Sequence, residues 1–444
     1  MLGKSSHRML STTLVLLVFG ALLGAAWAQK ESVLYSFCAQ TSCADGELPV
    51  AGLVFDQNGN LYGATPSGGT NGRGVAFKLT PKGKERVLYS FCAQSNCTDG
   101  GYPEAGVVFD PEGNLYGTTV SGGVYYDACD GFGCGTVFKL TPAGQETVLD
   151  SFAGYYGYAP VAGVVFDQKG NLYGTTLSGG DYDQECFVNE SEGCGVVFKL
   201  TPEGKETILY SFCAQTNCTD GASPDAGVVL DQRGNLYGTT NQGGVYGNGC
   251  GIVGCGVVFK ITPEGKYRVL HTFCAEDACA DGANPVAGLV LDQEGNLYGT
   301  TSWGGANREG VVFKLTPKGK ETVLYSFCAQ TNCTDRSNPV AGLVFDQKGN
   351  LYGTTRFGGA YDGCYSGVGC GLVFKLTPKG KETVLYSFCA QTNCTDGAIP
   401  YAGLVFDRKG NLYGTTQYGG AYNPSVCSDM YGYYGCGAVF KLTP

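Results

Sequence analysis

Short runs in which apolar and polar side chains alternate recur along the whole chain, as in VLYSF at 323–327, AGLVFD at 341–346, NLYGTT at 350–355 and GLVFKLT at 371–377. Runs this short, rich in Val, Phe, Tyr and Thr and bounded by Gly, Pro, Asp and Asn, predict β-strands joined by turns. The set of four repeats. A segment like Glu-Thr-Val-Leu-Tyr-Ser-Phe returns at residues 31, 85, 146, 206, 267, 321 and 382, so units 31–84, 85–145, 146–205, 206–266, 267–320, 321–381 and 382–444 follow one another with no linker. Four strands per unit is the content of a propeller blade.

Ala and Gly at the head of AGLVFD suit a crowded centre, which makes that run the innermost strand, followed outwards by NLYGTT, GVVFKLT and ETVLYSF. In this phase the chain opens with an outer strand at 32–37 and ends with a third strand at 437–443. The expected architecture is therefore all-β: a seven-bladed β-propeller with four antiparallel strands per blade, closed by the N-terminal strand joining the last blade. An open solenoid is the alternative. Asp346-Gln347-Lys348-Gly349 and Thr377-Pro378-Lys379-Gly380 suit tight hairpins built on type I turns. The other two connections of each unit are longer and variable.

The pattern AGLVFDxxGNLYGTTxxGG…GxVFKLTPxGKE resembles the tandem Gloeo/Verruco (GloVer) repeat in all seven units. The resemblance implies an exported bacterial repeat protein; it brings no activity and no catalytic residues. At the N-terminus, Lys4 and Arg8 precede an apolar run at 14–26 and Ala26-Trp27-Ala28, the form that signal peptidase cuts. Residues 1–28 thus read as a signal peptide and 29–444 as a single seven-bladed domain. Nothing after Gln29 is apolar enough to span a bilayer, and the protein is expected to be secreted, extracellular or periplasmic. A net charge of −10 offers no basic face to neutralise phosphates, so no nucleic-acid partner is expected.

The 22 cysteines fall into eleven close pairs. Six have C-x4-C spacing before the innermost strand: Cys38 with Cys43, Cys92 with Cys97, Cys213 with Cys218, Cys274 with Cys279, Cys328 with Cys333, and Cys389 with Cys394. Five lie between the second and third strands: Cys129 with Cys134, Cys186 with Cys194, Cys250 with Cys255, Cys364 with Cys370, and Cys427 with Cys436. The connection 152–160 lacks both cysteines of the first class, and the loops after Thr65 and Thr301 lack both of the second. Each pair is lost as a pair, which predicts disulfides inside single loops. Zinc needs four ligands per site, and eleven pairs do not divide evenly into tetrathiolates. All eleven staples are expected on one face of the ring, opposite the minimal hairpins. Such a face reads as a binding surface, against the plainer purpose of resisting proteolysis.

Residues repeated in every blade are scaffold, so ligand chemistry is sought where copies differ. One position after the second strand holds Ser67, Ser121, Ser178 and Gln242, then Trp303, Phe357 and Tyr418, an aromatic arc suited to stacking on sugars, or else ordinary variation packed under a loop. Another, ahead of the innermost strand, holds Val50, Val161, Val286 and Val340 but also Glu104, Asp225 and Tyr401, where the two carboxylates could take a cation or a polar ligand, against the plainer reading of solvated loop acids. His7 leaves with the signal peptide and His271 sits on an outer strand, so no histidine-based triad or metal centre forms at the mouth. The metal content is unknown: loop acids such as Asp127, Asp130, Asp181 and Asp183 are calcium candidates without a motif, and no other cofactor is expected.

The reading that results is a non-enzymatic binding or structural propeller of the cell envelope or extracellular space, with carbohydrate or another envelope component as partner. A calcium-assisted polysaccharide lyase or hydrolase, and a protein–protein scaffold, are the alternatives.

Overall fold

The computed structural model describes residues 30–443 apart from 125–128, 130, 155, 181–192, 245–249, 251–252, 336–337, 362–363, 365–367, 422–426 and 428–434. The proposed signal peptide, Cys186 and the loop acids Asp127, Asp130, Asp181 and Asp183 lie outside the described residues. Seven four-stranded antiparallel sheets form the ring. In the first, the strands run outwards as Val54–Phe55, Leu61–Thr65, Val75–Leu79 and Glu85–Ser90, the order expected from the sequence. The seventh contains Val405–Phe406, Leu412–Thr416 and Ala438–Thr443, and its fourth strand is Lys30–Ser36, paired from Lys30 opposite Thr443 to Ser36 opposite Ala438. The N-terminal strand therefore closes the ring, and the third strand of the last blade has no free edge.

Side-chain size explains the layering. Some innermost strands lie close together because Gly follows Ala there: a methyl group on Gly163 would come within 2.8 Å of the Gly106 carbonyl in the neighbouring blade, and one on Gly227 within 2.9 Å of the Gly163 carbonyl, whereas Gly52 and Gly288 face open space. One strand further out, a methyl on Gly174 would meet the Phe198 ring at 2.5 Å, so the mid-strand glycine makes room for the third-strand phenylalanine. That phenylalanine is the centre of each seam between blades. Phe77, Phe138, Phe198, Phe259, Phe313, Phe374 and Phe440 are buried, and each meets edge to face the Phe that follows the preceding blade's outer strand, at 5.0–5.3 Å between centroids. Hydrogen bonds add to the seams: Thr118, Thr175, Thr354 and Thr415 donate to the carbonyls of Ala162, Ala226, Ala402 and Ala51 in the next blade. In the first blade Ala64 occupies this position.

Hairpin and staple chemistry separates the two faces. In the Asp346 hairpin, Gly349 N–H returns to the Asp346 carbonyl with a left-handed φ of 76°, a type I turn completed by glycine. The Asp346 carboxylate accepts from Lys348 N, Asn350 N and Nδ2, and Tyr352 Oη, so the repeated aspartate is structural. Burial alone would raise such carboxyls, but these donors overcome it and hold Asp56, Asp346 and Asp407 below the usual range. The lysine repeated in each third strand lies over the tyrosine of the second strand beside it: Lys78 Nζ, for example, is 5.1 Å from the Tyr62 ring centre. On the opposite face, the two longer connections pair with each other, as in the bridges Glu47–Ser67 and Ala398–Tyr418.

Every described cysteine is in a disulfide, and the ten pairs whose two members are both described join the partners that the spacing predicts. Each C-x4-C staple closes over a fully buried aspartate. Asp99, for instance, accepts from Tyr89 Oη at 2.7 Å, Ala93 N at 2.8 Å and Gln94 N at 3.1 Å. In one copy His271 stands in for the tyrosine, 3.3 Å from Asp281.

A ring of glutamates opens the outer strands beside these aspartates, and the sequence gives no hint of the contact. Burial, then the Asp45 charge in the preceding connection, pushes Glu85 up to about 7. Glu31 and Glu146 are also held at about 7, by burial and then Asp396 or Asp99; Glu206 and Glu321 reach about 8, by burial and then Asp150 or Asp281. Glu382 is pushed to about 7 by burial despite a hydrogen bond from Gln330. In the remaining seam Tyr267 replaces the acid, donates to the Asp220 carbonyl and stacks on Tyr210.

Candidate functional site

Seven Ala-Gly steps from the innermost strands line a central well of about 550 Å³. Small side chains leave the opening, and the residue before each Ala-Gly step decides its chemistry. Four of these residues are Val50, Val161, Val286 and Val340; the other three are Glu104, Asp225 and Tyr401, and all seven line the well. An apolar ring is thus interrupted by two carboxyls and a phenol.

The environment of these three is protein on most sides although their tips reach solvent. Burial raises Glu104 above the usual carboxyl range. It pushes Asp225 to about 6, against the amide of Asn241, which donates from Nδ2 to Asp225 Oδ2 at 2.8 Å. Tyr401 is raised by burial and by the Asp225 and Glu104 charges, with Arg356 opposing. The Arg356 guanidinium lies 5.7 Å from the Tyr401 ring centre and 5.1 Å from that of Phe357, so it joins a well residue to a residue of the aromatic arc. Two buried polar atoms here have no hydrogen-bond partner among the described residues, Arg356 Nε and Asn241 Oδ1. One is a donor and the other an acceptor. Ser302 and Asn338 extend the polar lining, linked by a hydrogen bond from Asn338 Nδ2 to the Ser302 carbonyl at 3.3 Å.

The arc divides by depth. Trp303, next to Ser302, is exposed, at 36% of its full surface. Phe357 and Tyr418 are half-buried against the core formed by Tyr352, Cys370 and Phe388. Arg356, Asn241 and Ser302 were not singled out in the sequence, yet they share a column with Pro66, Val120, Leu177 and Gln417, one residue before the arc. Comparing that column across the seven copies would have found them.

The Gloeobacter/Verrucomicrobia repeat family matches the chain three times, over residues 24–252, 126–362 and 248–444. The chain belongs to this family. No curated protein matches its sequence. Among solved structures, it is similar to a gluconolactonase of Xanthomonas campestris at 12% identity, covering 69% of this chain and 78% of that one with a TM-score of 0.37. It is similar to a luciferin-regenerating enzyme at 15% identity, covering 76% and 90% with a TM-score of 0.38. A tricorn protease matches at 12% identity and TM-score 0.38, over 77% of this chain and 26% of that one. Among the described residues no helix is long and apolar enough to cross a membrane.

Proposed function

We propose that this chain is a secreted, non-enzymatic binding propeller whose ligand is a carbohydrate held at the mouth of the central well on the stapled face. The reading is carried by one observation: a ring of Val, Ala and Gly is broken at one mouth by Glu104, Asp225 and Tyr401, with Arg356 Nε and Asn241 Oδ1 buried beside them without partners among the described residues. Buried polar atoms are ordinarily satisfied, so a donor and an acceptor left open ask for a ligand that carries both. Sugar hydroxyls do, and the apolar face of a pyranose stacks on rings such as Tyr401 and Trp303. Secretion is supported by the disulfides and by Ala26-Trp27-Ala28.

A glycan array and a pull-down on intact cell walls test this. Asp225→Asn combined with Arg356→Ala, and separately Trp303→Ala, should weaken retention at least tenfold; the absence of glycan binding in the parent chain would remove the sugar reading. The raised carboxyls of Glu104 and Asp225 favour a second reading, a polysaccharide hydrolase or lyase with one of them as general acid. Turnover lost in Glu104→Gln while binding persists would select it. A protein captured by cross-linking with no glycan bound would select a scaffold.

A further inference from the structure

The cysteine spacing treats the two classes of staple as independent, but the fold brings them together. Cys38 and Cys43 meet Cys427 and Cys436 in the seventh blade, and Cys364 and Cys370 meet Cys389 and Cys394 in the sixth; within each group all four sulfurs lie within 4.8 Å of one another. Among the described residues, Cys194 groups with Cys213 and Cys218, and Cys250 with Cys255 and Cys274, in the two other blades that carry both classes; Cys186 lies outside the described residues. Among the described residues, the lone staples Cys92–Cys97, Cys129–Cys134 and Cys328–Cys333 belong to no such group.

We infer that the two complete clusters are latent tetrathiolate metal sites: two disulfides each when oxidised, one bound zinc each when reduced. Zinc in a tetrahedral thiolate site stands about 2.3 Å from each sulfur, which places the sulfurs about 3.8 Å apart. Once the two S–S bonds are broken, four sulfurs already confined within 4.8 Å need only small shifts to reach that spacing. The count that weighed against zinc no longer applies, because the two staples of the sixth blade, and those of the seventh, together supply four ligands, while a lone staple supplies two. The seventh-blade site is largely buried, with Cys43, Cys427 and Cys436 out of solvent and Cys38 half-buried, whereas in the sixth blade Cys370 is buried and Cys364, Cys389 and Cys394 are half-buried; a metal is what would stabilise several thiolates in such surroundings. In the seventh blade Glu47 Oε2 lies 3.2 Å from Cys427 Sγ, a further oxygen donor beside the cluster. A phosphine reduces each disulfide to two thiols, taking oxygen from water to become the phosphine oxide, and the metal then displaces the four thiol protons of the cluster.

The full chain, reduced anaerobically with a phosphine and titrated with cobalt(II) alone, tests this. The expected result is at least two ions per chain with the charge-transfer and ligand-field bands of a tetrahedral tetrathiolate, bleached by zinc. Cys364→Ser with Cys370→Ser should remove one ion; Cys129→Ser with Cys134→Ser should remove none. Far-UV circular dichroism accompanies each titration, and zinc should raise the melting temperature of the reduced parent more than that of a chain lacking both complete clusters. The inference is overturned by a reduced chain that keeps its β-structure without such bands, by one that unfolds and is not restored by cobalt, or by a stoichiometry indifferent to Cys364 and Cys370. These outcomes are independent of glycan binding.

Discussion

Phe198 shows how much one residue carries in this fold. It is fully buried, lies over Gly174 in its own blade and meets Phe152 of the preceding blade edge to face at 5.2 Å. Phe198→Ala should therefore cost about 3–5 kcal/mol in denaturant unfolding, because the cavity would open between two blades and neither could close it alone. Ala64 offers the opposite experiment. Its counterparts Thr118, Thr175, Thr354 and Thr415 bond across their seams, so Ala64→Thr should gain about 0.5–1.5 kcal/mol by reaching the Ala105 carbonyl, read as a higher denaturation midpoint. The alternation of GVVFKL marks Phe198 as a strand residue. Its partner is not legible in the sequence, since two strands and three connections separate Phe152 from the strand that holds it.

At the scale of the element, the stapled connection is held by two devices of different strength. A disulfide closing so short a loop contributes about 2 kcal/mol at most on the chain-entropy estimate. The buried Asp99 beneath it accepts three hydrogen bonds, and bonds to a charged acceptor contribute about 1.5–3 kcal/mol each. Asp99→Ala should accordingly lower the melting temperature more than Cys92→Ser with Cys97→Ser, a ranking that differential scanning calorimetry can check. The strands, their order and the local disulfides were readable because they are periodic and depend on neighbours within one unit. The aspartate anchors were passed over because the residue lies outside the run of cysteines that draws the eye.

For the molecule as a whole, the glutamate ring sets the response to pH. Glu31, Glu85, Glu146 and Glu382 at about 7, and Glu206 and Glu321 at about 8, bind their protons more tightly folded than unfolded. Their contribution is present in full below the ordinary carboxyl value and is lost as pH rises through 7 and 8, because the folded chain then has to hold charges that burial disfavours. The melting temperature should fall between about pH 5 and about pH 8, and replacing Glu85, Glu146, Glu206 and Glu321 with Gln should flatten that slope. The hairpin aspartates act the other way only under strong acid, where their lowered carboxyls protonate. Neither this ring nor the full well was legible in the sequence: Glu104, Asp225 and Tyr401 stand out as odd copies, but Asn241 gains its meaning from meeting Asp225 within its own blade and Arg356 from facing Tyr401 of the next blade. What makes the whole closed is the strand Lys30–Ser36 on Ala438–Thr443, and deleting it should leave a chain that melts earlier and self-associates through the bared third strand.

That closure also fixes an order of events. The first strand of the propeller to leave a ribosome or an export channel belongs to the last blade to be finished, so it has to wait, unpaired, for nearly the entire chain to follow. Six blades can assemble in the sequence of their synthesis, while the seventh joins the earliest and the latest residues of the domain. Closure of the ring therefore waits on the strand Ala438–Thr443, and the strand that waits for it is the part most open to a chaperone, a protease or the corresponding edge of a second copy.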